Sequence, residues 1–104
     1  MADRKERLQR HRDLTRELVA KYCNEIAVDP ITADEVQIQS FIRKPAKTKK
    51  TMFNWHAICL VTAQLEGQTG PHPSMYEVVY NSDRRSIWIS EWIQSRNDNL
   101  SFEK

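Results

Sequence analysis

With 104 residues, the chain is long enough for one hydrophobic core and too short for two. Charged residues at 29% beside 39% hydrophobic residues fit a folded soluble domain, and only two glycines and four prolines argue against a chain made mainly of linker. The opening MADRKERLQRHR lacks the apolar run of a secretion signal, and no apolar run reaches the roughly 18 residues of a membrane helix, so the sequence reads as cytoplasmic.

Residues 3–28 read as an amphipathic helix. Leu8, His11, Thr15, Leu18 or Val19, Tyr22 and Ile26 recur at steps of three and four, with Leu14 and Cys23 widening the stripe. Arg4, Glu6, Arg10, Asp13, Arg16, Glu17 and Lys21 take the other side, and Glu6 with Arg10 and Glu17 with Lys21 have the favourable i to i+4 order. Only Leu8 anchors the first two turns, so that part is expected either to project beyond the sheet or to pack on a second subunit. Asp29-Pro30 stops the helix, because proline has no amide to donate and restricts the residue before it.

From Glu35 to Arg43 the sequence alternates, with Val36, Ile38, Ser40 and Ile42 on one side and Gln37, Gln39 and Phe41 on the other, as in a strand. Thr32-Ala-Asp-Glu35 has capping-box spacing and competes as the start of a short helix. The segment 43–50, RKPAKTKK, follows as a hairpin connection; it holds five basic groups and no acidic one, and without it the net charge of +2 would become −3.

Thr51 to Glu66 is the longest apolar, nearly uncharged run, and it predicts the central strand. Phe53, Trp55, Ala57, Cys59, Val61, Ala63 and Leu65 form one apolar face, while Asn54, His56, Ile58, Leu60, Thr62, Gln64 and Glu66 form a mixed one. Both glycines and two prolines fall in 67–73, a loop. Met75 to Asn81 alternates as a third strand, Asn81-Ser-Asp-Arg reads as a turn, and 86–94 reads as a fourth strand, with a helix as the competing assignment. The tail 96–104 is polar and expected to be flexible.

The elements predict a single α+β domain, residues 1–104, with the helix at 3–28 packed on a four-stranded antiparallel meander at 35–95. One sheet face is covered by the helix, and the other would carry Phe41, Ile58, Leu60, Trp88 and Trp92 beside His56 and Thr62. Three covers for that open apolar face compete: a second copy of the chain, a partner protein, or the chain's own ends.

Gly70-Pro71-His72 followed by Tyr76-Glu-Val-Val-Tyr80 resembles, over about a dozen residues, a stretch of double-stranded-RNA-binding domains, which have a helix before a three-stranded sheet. The basic start of the helix that follows in that family is matched here only by Arg84-Arg85, so the likeness adds to a nucleic-acid reading without setting the fold.

Chemistry finds little support. His56 and Cys59 are three apart and point to opposite faces of a strand, and His11 and Cys23 lie about 18 Å apart along one helix. Metal-ligand spacing, phosphate-binding glycine loops and nucleophile motifs are absent, so neither enzyme, metal nor cofactor is expected, and the two cysteines read as buried reduced thiols. The expected function is a binding module contacting protein, as a homodimer or regulatory subunit, through Phe41, Ile58, Leu60, Trp88 and Trp92. The alternative is a nucleic-acid contact through Arg43, Lys44, Lys47, Lys49 and Lys50, where positive charge lies beside Phe41, Phe53 and Trp55. A small-ligand pocket between helix and sheet rests on Tyr22, Tyr76 and Tyr80 alone.

Overall fold

The structure, a computed structural model of the chain, describes residues 4–49 and 51–92. Helix α1 (Arg4–Cys23) is followed by one 3-10 turn (Ala33–Glu35) and by strands β1 (Gln37–Pro45), β2 (Phe53–Ala63), β3 (His72–Asn81) and β4 (Ser86–Trp92). The strands form one antiparallel sheet in the order β1-β2-β3-β4, the expected α+β meander. Residues 86–92 are strand, so the competing helix is not formed there, while 93–104 lie outside the described residues. Arg84 and Arg85 stand in a strand-to-strand turn rather than at a helix start, which departs from the RNA-binding likeness.

Helix α1 ends at Cys23, earlier than the Asp29-Pro30 stop predicts. The amides of Asn24, Glu25 and Ile26 still bond back to the carbonyls of Ala20, Tyr22 and Cys23, after which the chain leaves the helix. The Asn24 side chain donates to the Ile31 carbonyl at 3.0 Å and accepts the Ile31 amide at 2.8 Å. Ala27 bridges to Leu65, with the Val28 amide on the Gln64 carbonyl and the Glu66 amide on the Ile26 carbonyl. Both readings of 32–43 are realised in sequence: the Glu35 carboxylate accepts the Thr32 amide at 2.8 Å, closing one turn, and the strand begins two residues later.

The core lies between α1 and one sheet face. Thr15, Val19, Ala20 and Cys23 are buried on the helix, opposite the buried Ala57, Cys59, Val61 and Ala63 of β2 and Tyr76 and Val78 of β3. Small side chains on both surfaces let helix and sheet approach closely, and the interior is filled at the side by Val36 and Ile31. Residues 4–10 are all exposed, so the first turns of α1 extend past the packed core, as their single apolar residue predicts.

The pairing of β1 corrects one expectation. Ile38 lies opposite Cys59 and Ser40 opposite Ile58, so Gln39 is an extra residue, a β-bulge. Beyond the bulge the facing inverts: Phe41 pairs with Ala57 and packs on the core, while Ile42 pairs with His56 and is 57% exposed on the opposite face. Strict alternation had put Phe41 on the open face and Ile42 under the helix. One additional residue exchanges them, because strand side chains repeat every two positions.

Candidate interaction surfaces

The sheet face away from α1 is uncovered among the described residues. By register its rows run Ile42, His56, Val79, Trp88 and then Ser40, Ile58, Glu77, Ser90, with Leu60 and Met75 beyond them. Ile58, Leu60 and Trp88 thus share this face, Trp88 at 48% exposure, and Ile42 takes the place expected for Phe41. Trp92 pairs with Met75, and its side chain lies outside the described ones. Near the centre, His56 Nε2 and the Glu77 carboxylate are 2.5 Å apart across β2 and β3. The face therefore combines apolar side chains with one internally paired polar couple.

The opposite face carries an aromatic and cationic ladder at its β1 end. Trp55 is buried, stacked on Tyr80 with centroids 4.0 Å apart and planes 5° from parallel, and on His11 at 4.4 Å and 21°. Its indole N–H donates to the Thr15 hydroxyl at 2.9 Å, which in turn donates to the His11 carbonyl at 2.8 Å. The bulge aims Arg43 to this same face, where its guanidinium donates to His11 Nδ1 at 2.9 Å and lies 4.1 Å over the Phe53 ring. Arginine can only donate, so His11 accepts at Nδ1 and is held as the neutral tautomer with its proton on Nε2. Burial, and then the charges of Arg43, Arg10 and Arg7, push its pKa below the usual histidine value. Burial and the charges of Arg7 and Arg4 act in the same direction on Arg43. Arg4, Arg7 and His11, at steps of three and four, share one side of the projecting helix, which brings those arginines beside Arg43.

The five basic residues expected to form one loop are thus divided. Arg43 and Lys44 belong to β1, on opposite faces; Lys47 and Lys49 stand exposed in the connection; and Lys50 lies outside the described residues. The connection itself is fastened to the β3–β4 turn by Asp83. That carboxylate accepts the Lys47 amide at 3.0 Å, the Thr48 amide at 2.7 Å, the Thr48 hydroxyl at 2.6 Å and the Asn54 side-chain amide at 2.9 Å. These donors hold its pKa well below the ordinary carboxylate range. Nothing local in the sequence marks Asp83 for this role, because its donors come from 29 to 36 residues away. Asn54 Oδ1 accepts the Ser82 amide and the Ser82 hydroxyl donates to the Phe53 carbonyl, completing the fastening.

Cys23 and Cys59 are both buried free thiols, and burial raises the pKa of each, that of Cys59 to about 11. Neither is a prepared nucleophile. His56 and Cys59 occupy opposite faces of β2, as their spacing requires. Among the described residues no three potential ligands are grouped to hold a metal, and no helix is long and apolar enough to cross a membrane. Comparison with protein families, with characterised proteins and with solved structures finds no match for this chain.

Proposed function

We propose that this chain is a non-enzymatic binding module that pairs with a second copy of itself through the open sheet face. The observation that carries this reading is the band Ile42, Ile58, Leu60, Met75, Val79 and Trp88, which crosses all four strands and is left uncovered by the described residues. A monomer gains nothing from exposing such a band, whereas burial of apolar area drives association. A second copy suits the face because its central polar pair, His56 and Glu77, already hydrogen-bonds within the chain and needs no partner group across the contact. A stable dimer buries about 800 Å² from each copy, and one whole face of four strands is a surface of that order. Trp88, with half its surface exposed, is the anchor on which the contact would centre.

The test is the mass in solution, by sedimentation equilibrium over micromolar to submillimolar concentrations, of the wild type and of the variant carrying Ile42→Glu and Trp88→Glu. A wild-type dimer and a monomeric, folded variant are expected. A wild type that stays monomeric, or a variant that keeps the wild-type mass, ends this reading and leaves a different protein or the chain's own terminus as the cover.

A second reading has its own observation in favour: Arg4, Arg7 and Arg43 gather on the far side of the sheet, a like-charge group suited to the phosphates of a nucleic acid. The loop is less suited than its composition implies, since the amides of Lys47 and Thr48 are already given to Asp83. Anisotropy of labelled oligonucleotides at two salt concentrations distinguishes the sites. Replacing Arg4, Arg7 and Arg43 by glutamine should flatten the salt slope by roughly two to three, at about 0.7–0.9 for each phosphate left without its cation. Replacing Lys47 and Lys49 by glutamine should change it less, and the reverse order would return the contact to the loop.

A further inference from the structure

Where the two hairpin connections meet, a half-open cavity of about 650 Å³ remains. Its volume falls within the roughly 300–1,000 Å³ of small-ligand sites. Asp83 creates it: by binding the backbone of residues 47 and 48, the carboxylate holds the β1–β2 connection against the β3–β4 turn. The connection is also closed on itself, with the Met52 amide on the Lys49 carbonyl and the Ala46 amide on the Met52 carbonyl. Both walls are therefore built independently of any occupant.

The lining has two chemical halves. Tyr80 contributes an aromatic surface made rigid by its stack on Trp55, and Met52 and Ile87, 42% and 48% exposed, add apolar walls. Lys49 and Arg85 supply positive charge, and among the described residues neither is held in an ion pair. Asp83 also lines the cavity and its carboxylate is held by four neutral donors, so Lys49 and Arg85 (+2) against Asp83 (−1) leave one net positive charge there.

Arg85 carries the strongest indication. It has φ 54°, the one described non-glycine residue in the left-handed region, at the last position of the turn between Asn81 and Ser86. Glycine or asparagine meets that geometry with less strain, and a strained backbone retained at a cavity points to a use for the side chain. From the lining and from Arg85 together, we infer that this cavity is a binding site for a small aromatic anion. Its ring lies against Tyr80, Met52 and Ile87, and its carboxylate or phosphate lies toward Arg85 and Lys49. This site is on the end of the sheet and is independent of the open face.

Two variants and two probes test it. The ¹⁵N-labelled full chain is titrated with 2-naphthoate and with its neutral counterpart 2-naphthamide, and thermal midpoints are recorded in parallel. Wild type is expected to bind naphthoate saturably with shifts at the amides of Met52, Tyr80 and Ile87, and to bind the amide probe at least tenfold more weakly. Arg85→Gly should raise the thermal midpoint by relieving the turn while weakening naphthoate at least tenfold, and Lys49→Gln should weaken it with the midpoint unchanged. Equal binding of both probes, shifts confined to the open sheet face, absence of saturable binding at millimolar naphthoate, or undiminished affinity in Arg85→Gly would each overturn the assignment.

Discussion

The indole N–H of Trp55 donates across 2.9 Å to the hydroxyl of Thr15, in an interior where both residues are buried. Trp55 has no other hydrogen-bonding group in its side chain, so this bond decides whether a buried donor is satisfied. Thr15→Val keeps the shape and removes the acceptor. The expected loss is about 1–3 kcal/mol, the cost of a buried unpaired donor. Urea unfolding of the two proteins measures it, and Thr15→Ser should lose less because the hydroxyl stays.

His11 makes the fold sensitive to mild acid. Its folded pKa lies below the unfolded value near 6.5, so the unfolded chain takes up the proton more readily. Stability should fall as pH drops through that unfolded value and level off below the folded one. Urea midpoints of the wild type between about pH 7.5 and 5.5 should show the decline. His11→Gln should remove a clear part of it, since the proton-linked group is gone, and an identical pH profile in the variant would refute the assignment.

Asp83 works at a lower pH and in the same sense. Its depressed folded pKa means that its contribution is complete above the ordinary carboxylate range and is lost as the pH falls through and below it. Asp83→Asn should therefore destabilise the protein at neutral pH, and the difference between variant and wild type should shrink in acid. Hydrogen exchange adds a local readout: the amides of Lys47 and Thr48, which donate to Asp83, should lose protection in the variant.

The bulge at Gln39 can be tested by deleting that residue. Ile38 and Phe41, three positions apart, both face the core because Gln39 is the extra residue; in the deletion they stand two apart, so a regular β1 keeps both inward in the same pairing with β2. The deletion is therefore expected to fold and to melt close to the wild type. Calorimetric melting measures it, and a deletion that melts far below the wild type would show that the pairing of β1 with β2 is not the one described.

Both thiols should be protected in the native protein. At mildly alkaline pH a chromogenic disulfide reagent is expected to react slowly with the folded chain, and with two equivalents in denaturant, because Cys59 titrates only near 11 and both sulfurs are buried. Fast reaction of either thiol without denaturant would contradict the buried placement.

The repeat of the backbone itself made the elements readable from sequence. The period of two over 53–65 and the helical steps from Leu8 to Cys23 follow from strand and helix geometry, and they specify one helix, a central strand and a meander without knowledge of any distant contact. The same local logic separated His56 from Cys59 and put Ile58, Leu60 and Trp88 on one face. Tertiary structure alone decided what depends on pairing between distant segments. Alternation in 36–43 is equally regular with or without a bulge, and only the match of β1 to β2 sends Phe41 inward, Ile42 outward and Arg43 onto His11. Arg4 and Arg7 of the helix are more than 30 positions from Arg43, and Asp83 reaches donors on another hairpin. Side chains within a helix or strand meet at distances set by the repeat, whereas those on separate elements meet only where burial of a shared core brings their backbones together.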